Sequence, residues 1–352
     1  MKNIVTKPIF FEKNRVGRVY RGGKLFADFF GDDSVDGNMP EEWIASAVSA
    51  RKGNATGEPE GVSKILDTDI PFDKLLTDCK EDMIGERESF DVLTKVLDSA
   101  IRLPVQAHPD KPFSRKHFNS DYGKTEMWLV LATRENASVC FGFKEGVTRE
   151  QFEAAIDASE LDRDAMPSLL NRIAVKPGDV FLIPAKVIHA IGAGCLMLEA
   201  QEPSDFTIEP EAWCGDYRLT EKEMFMGLDR SVAMDCFDFD ITNGELWKIA
   251  CPAAEVIKKG DGFVTESIIS YKNTDCFAVN THSLENCGGM TLDTAPAVLL
   301  VTDGEGVIVG DDYEKSVKKG DYFFMPYAAK DKFMLKSDTE LKLAEVLPSA
   351  KG

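Results

Sequence analysis

Side chains able to hold a metal or move a proton recur in this chain at intervals of two. Gln106 and His108 stand in LPVQAHPDKPF, and Lys124 and Glu126 in GKTEMW. On an extended chain, residues two apart project to the same side. Each pair therefore offers both of its members to one face. His189 closes a further segment, AVKPGDVFLIPAKVIH. If the strands carrying them line one interior, Gln106, His108, Glu126 and His189 bring together two imidazoles, a carboxylate and an amide oxygen. That donor set suits a divalent metal such as Zn²⁺. Lys124 would enter the same cavity. Taken singly, each residue has an ordinary alternative: Glu126 and Lys124 as solvated strand residues, Gln106 as a core hydrogen-bonder.

The elements that must position these groups are short and mostly extended. The first 60 residues read as loops around short strands, and about 62–100 reads as helical, with Phe90, Leu93, Val96 and Leu97 at helical spacing. RLPVQAH, KTEMWLVLA and SVCFGF then read as strands. A second helical stretch, at about 148–172, opens on Thr148 and Gln151 at capping-box spacing, with Phe152, Ala155 and Ile156 facing inward. From Arg172 onward, short strands broken by Gly, Asp and Pro point to a sandwich or barrel.

An internal repeat organises this pattern. AVKPGDVFLIPAKVIH (174–189) and SVKKGDYFFMPYAAKD (316–331) align without gaps and share Val175/Val317, Lys176/Lys318, Gly178/Gly320, Asp179/Asp321, Phe181/Phe323 and Pro184/Pro326. Upstream, LVLATRENASVCFGF is similar to VLLVTDGEGVIVG. Two similar β-units follow from this, the first with an inserted helical segment at about 144–170. The repeat breaks where His189 faces Asp331. A scaffold used twice with one histidine marks His189 as functional, whereas His117 and His282 match no motif and are expected at the surface.

Gly178, Asp179, Pro184 and His189 match the second cupin motif. Together with VQAHPD, GKTEMWLVL, PAKVIHAIGAGCLMLEAQEPSDFT and PEEWIAS, they make the chain resemble the type I mannose-6-phosphate isomerases, especially the shorter bacterial forms. The resemblance implies a mainly β fold of two cupin-type jelly-roll units. Residues 1–235 would form the catalytic unit with the helical segments, and 236–352 a cupin-like unit lacking the metal site. It implies one Zn²⁺ per chain held by Gln106, His108, Glu126 and His189, and a zinc-dependent interconversion of mannose 6-phosphate and fructose 6-phosphate through a cis-enediol. Lys124 matches the active-site lysine, and Glu199 in LMLEAQ an acidic residue beside the substrate, a candidate acid/base. Arg21, Lys24 and Lys186 are further candidates for contacting the phosphate.

The chain departs from the family at one position. Where the family has an arginine after its Ser-Asp segment, SDFTIEPE has Glu209, and the nearest arginine is Arg218. Either Arg218 reaches the site or another residue supplies the charge. Two other readings follow: a sugar-phosphate-binding cupin without catalysis, or an isomerase of a different aldose phosphate. The Gln-x-His pair and GKTE speak against a cupin oxygenase.

Composition excludes other classes. A net charge of −19 over 352 residues lacks the basic surface that nucleic acid requires. An anionic substrate must then be held by a few local cations. Apolar runs are far short of a membrane span, and the start MKNIVTKPIF lacks a signal-peptide core, so a cytoplasmic protein is expected. The eight cysteines form no CxxC and read as reduced, mostly buried thiols. Oligomeric state, monomer or homodimer, stays open.

Overall fold

The repeated segment folds the same way twice in the computed structural model, which describes residues 3–50, 60–241 and 243–350. Gly178 takes φ 92° and donates its N–H to the Val130 carbonyl at 2.8 Å; Gly320 takes φ 90° and donates to Val301 at 2.9 Å. The Asp179 carboxylate accepts from the Lys176 N–H at 2.9 Å, and Asp321 from Lys318 at 2.8 Å. Positive φ is cheap only for glycine, so both copies need glycine at this turn. A strand leaves each turn, Val180–Ile183 and Tyr322–Met325.

The molecule is mainly β, with several antiparallel sheets. A six-stranded sheet runs in the order Arg15–Val16, Glu41–Ile44, Leu93–Ser99, Cys195–Gln201, Glu126–Thr133, Val180–Ile183. A three-stranded sheet, Leu170–Ala174, Ser138–Phe143 and His189–Ile191, shares a core with it around Trp128, Phe141 and Phe181. An eight-stranded sheet contains the long strands Ala278–Thr291, Ala297–Gly310 and Met334–Leu347. It also takes in Ile9–Phe10 from the start of the chain, with Ile9 opposite Phe324. The two larger sheets share an apolar cluster in which Met127, Leu129 and Leu198 join Phe277, Val298, Phe324 and Val346.

Several expected elements differ. The stretch 62–100 is not one helix: Phe72–Asp78 and Lys80–Ile84 are helical, but Leu93–Ser99 is a strand. All seven residues of that strand are buried, so apolar and polar side chains do not alternate, and a strand covered on both faces imitates a helical pattern. The second helix, Arg149–Ala158, has the Thr148–Gln151 capping box but ends well before 172, where Leu170–Ala174 is already a strand. RLPVQAH is no regular strand either; it makes only two isolated bridges, Gln106 to His189 and Ala107 to Ile208. His282, expected at the surface, is 6% exposed, whereas His117 is half-buried against Phe113, with ring centroids 4.5 Å apart. Of the opening stretch, residues 51–59 lie outside the described ones.

Six cysteines are buried, Cys79 is half-buried and Cys251 exposed, and all eight are free thiols. Among the described residues no helix is long and apolar enough to cross a membrane.

Candidate metal centre and adjoining cavity

His108, Glu126 and His189 come from three separate segments and meet in the interior. Glu126 opens its strand, opposite Gln201 on one side and Ile183 on the other. His189 opens another and exchanges both backbone hydrogen bonds with Gln106, each at 2.9 Å, so the two side chains share a face. His108 follows two residues after Gln106. Beyond it the chain turns into the helix Lys111–Phe118, capped by the Asp110 carboxylate, which accepts from the Phe113 N–H.

Both imidazoles are fixed by backbone carbonyls. His108 Nδ1 lies 3.0 Å from the Phe206 carbonyl, and His189 Nδ1 lies 2.9 Å from that of Val187. A proton on each Nδ1 turns each Nε2 lone pair inward. The two Nε2 atoms reach opposite oxygens of Glu126: His108 at 3.1 Å from Oε2, His189 at 3.4 Å from Oε1. Ligating atoms of all three residues lie within 4.8 Å of one another, and the side chains are at most 1% exposed. His189 Nε2 is buried and makes no hydrogen bond among the described residues. A buried, unpaired lone pair is costly, and a cation among these atoms would relieve it. Lys124 Nζ already answers part of that demand, 2.9 Å from both His108 Nε2 and Glu126 Oε2.

Electrostatics hold the three groups in their metal-binding protonation states. Burial lowers the His108 imidazole to about 3, helped by the Lys124 charge, and burial likewise lowers His189. For Glu126 burial opposes ionisation, but Lys124, His108 and His189 outweigh it and hold the carboxyl well below its usual range. Two neutral imidazoles and a carboxylate fit a divalent cation.

Beside the cluster a narrow cavity is lined by Gln106, Lys124 and Glu199, and farther out by Arg18, Glu41, Lys95, Asp205 and Glu209. Glu199 lies directly across from Lys95 on neighbouring strands, with Nζ 3.1 Å from Oε1. Burial, reinforced by the charge of Glu126, pushes the Glu199 carboxyl up to about 8. Glu41 accepts from Tyr20 Oη and Trp43 Nε1, each at 2.7 Å, and pairs with Arg18 Nε at 3.0 Å.

The sequence-predicted residues divide cleanly. Gln106, His108, Lys124, Glu126, His189 and Glu199 converge. Arg218 does not: it lies on the exposed strand of the hairpin Trp213–Cys214/Tyr217–Arg218, clamped by Glu160 at 2.8 and 2.9 Å. The turn at Gly215 carries it away from the cavity, and a surface carboxylate holds it there. Arg21 and Lys24 are exposed, and Lys186 is half-buried, meeting His108 through its backbone N–H at 2.7 Å.

Sequence reasoning missed Arg18, Lys95 and the role of Glu41. Their recruitment depends on strand pairing, which places Lys95 between Glu199 and Trp43. For Glu41 and Lys95 the available signal was charge set beside bulky apolar residues in EEWI and LTKVLDS; Arg18 lies in neither.

Residues 36–142 match the family described as phosphomannose isomerase type I, catalytic domain. A mannose-6-phosphate isomerase of Streptococcus mutans is 29% identical over 331 residues, covering 93% of this chain and 94% of that protein. The crystal structure of the mannose 6-phosphate isomerase from Bacillus subtilis superposes with a TM-score of 0.74 at 24% identity, over 96% of this chain and 99% of that one. A mannose 6-phosphate isomerase crystallised with zinc and yttrium shares the fold at a TM-score of 0.68 and 18% identity, over 97% and 99% of the two chains.

Proposed function

We propose, from the premise that the chain belongs to the type I phosphomannose isomerase family, that it interconverts mannose 6-phosphate and fructose 6-phosphate. One observation carries this reading: a buried His108–Glu126–His189 cluster adjoins a cavity into which a lysine and a carboxyl with a raised pKa both project. The ion would be a single Zn²⁺ held by those three residues and the Gln106 amide oxygen. When bound, it would polarise sugar oxygens and stabilise the charge that develops on them.

The reaction moves hydrogen between C2 and C1 of the open-chain sugar. Glu199 is the acid/base group: its carboxyl titrates near working pH, so it can take the C2 proton as carboxylate and return it to C1 as the acid. Lys95 lies beside it and supports the ionised form. In the same interconversion the C2 hydroxyl proton passes to the C1 oxygen, which balances aldose and ketose; Lys124 donates a hydrogen bond to a substrate oxygen at the inner end of the cavity. Glu199 and Lys124 are buried, which limits loss of the transferred proton to solvent.

Catalysis is assigned to a cupin-type unit over 1–235, and 236–352 forms a second, metal-free unit. Pairing supports this: Leu292 and Ala297 of the second unit occupy the registers of Gln106 and Glu126, since Asp331 N–H donates to Leu292 and Ala297 faces Met325. Glu209 in the cavity favours one further reading, an isomerase of a different aldose phosphate.

The test is a coupled assay for fructose 6-phosphate on purified, zinc-loaded protein, run across several aldose phosphates. Turnover that a chelator abolishes and zinc restores is expected with mannose 6-phosphate. Saturable binding of that sugar without turnover would defeat the enzyme reading.

A further inference from the structure

Backbone carbonyls fix the two imidazoles of the metal cluster, but among the described residues the Glu126 carboxylate is held by side chains alone. Its Oε2 faces Lys124 Nζ at 2.9 Å and His108 Nε2 at 3.1 Å. Its Oε1 accepts from the Trp128 indole N–H at 3.1 Å and lies 3.4 Å from His189 Nε2. Of these four neighbours the imidazoles are fellow ligand candidates, and Lys124 carries a charge that opposes a cation. Trp128 orders the carboxylate with a neutral donor and so does not compete with an ion. The strand explains the contact, because Glu126 and Trp128 stand two apart and project to one face. The same spacing lets Trp43 donate to Glu41 at 2.7 Å. The indole is itself locked: it is 0% exposed and meets His189 edge-on, with ring centroids 5.4 Å apart and planes at 72°.

The internal repeat separates this contact from plain packing. Glu126 faces Ile183 and Trp128 faces Phe181, whereas in the second copy Ala297 faces Met325 and Leu299 faces Phe323. The carboxylate and its indole donor are therefore missing together from the copy that also lacks the histidine. Leucine fills the core at that register, so this scaffold packs there without an indole. We infer that Trp128 is a positioning residue for the metal centre, its N–H pre-ordering the Glu126 carboxylate for a divalent cation. A glutamate has three side-chain torsions to fix, and a donor anchored in the core fixes them before an ion arrives. The inference rests on the metal reading of the cluster and extends it to a residue behind the ligands.

The experiment compares the full-length protein with Trp128→Phe, which keeps a ring and removes the donor. A second form carries at position 128 the tryptophan analogue with sulfur in place of the indole N–H, which keeps the shape as well. Zinc affinity is read by competition with a chromophoric chelator, and thermal melting is recorded without metal. Both forms are expected to bind zinc about 10- to 100-fold more weakly, the usual cost of removing a partner behind a metal ligand. The metal-free sulfur form should melt as the wild type does. Trp128 is not among the residues lining the cavity, so at saturating zinc KM for mannose 6-phosphate should stay within about twofold. Zinc affinity of the sulfur form within about twofold of wild type would overturn the inference. So would affinity lost only in forms whose metal-free melting temperature has also dropped. If Trp128→Phe fails to fold, the sulfur form decides alone. Zinc-loaded wild type without turnover would defeat the isomerase reading and leave the affinity comparison to judge Trp128. Wild type that takes up no zinc would defeat the metal assignment and this inference with it.

Discussion

Glu199 is a carboxyl held near 8 by burial and by the Glu126 charge. A base must be ionised to take a proton, so kcat/KM should climb as pH rises through the Glu199 titration, and Glu199→Gln should lose that limb. The same variant should lower kcat by roughly 10²- to 10⁴-fold, the usual contribution of a positioned acid/base, with metal content unchanged. His189→Ala and Glu126→Ala act differently. They should abolish stoichiometric zinc uptake, measured by metal analysis. In the wild type, zinc at about 1,000 times its Kd should add about 4 kcal/mol of stability, a gain absent from both variants. Normal zinc uptake by either one would sink the assignment. At this scale residue type and spacing singled out His108, Glu126 and His189, which the fold gathers within 4.8 Å, and Gln106, which lines the adjoining cavity. The sequence was silent on Arg18 and Lys95, because an arginine or lysine becomes a site residue only through neighbours brought by distant strands. It left Arg218 open between site and surface, because the exposure and the Glu160 clamp that place it are tertiary facts.

The paired turns give a test at the level of elements. A Cβ on Gly178 would meet nothing within 4 Å, whereas one on Gly320 would meet the Phe29 carbonyl oxygen at 2.5 Å and Phe30 Cα at 2.9 Å. Gly178→Ala should therefore cost only the positive-φ penalty, about 1–2 kcal/mol. Gly320→Ala should cost roughly a further 1–3 kcal/mol from overpacking. Chemical denaturation of the two variants compares them, and equal losses would show that the copies are packed alike. Asp32 offers a pH test of another kind. Burial opposes its ionisation, but hydrogen bonds from Ser34 and Lys13 and the charge of Arg15 outweigh it and hold the folded pKa well below the usual aspartate value. Its contribution is complete above the unfolded pKa of about 3.9 and is lost as pH falls towards the folded one. Asp32→Asn should flatten that part of the acid-unfolding curve. Elements were legible where local signals suffice, as at the Thr148 capping box. They were illegible in Leu93–Ser99, where burial on both faces removes the alternation that marks a strand.

For the whole molecule, the repeat in the sequence marked a turn and strand that the fold uses twice, but not how the sheets are joined. The shared apolar cluster and the pairing of Ile9–Phe10 with Tyr322–Met325 tie the start of the chain to its last sheet. A chain ending at 235 should therefore fail to give a cooperative thermal transition, and a sharp transition in that fragment would show the first unit to be self-sufficient. Sheet order is beyond local reasoning because pairing across such separations leaves no mark on residue spacing. The strand Ile9–Phe10 also bears on biosynthesis. It leaves the ribosome long before its partner, Phe323 and Phe324, is translated. Until then an apolar edge waits unpaired, so closure of this sheet must wait for the distant partner, and during that interval the nascent chain is exposed to aggregation.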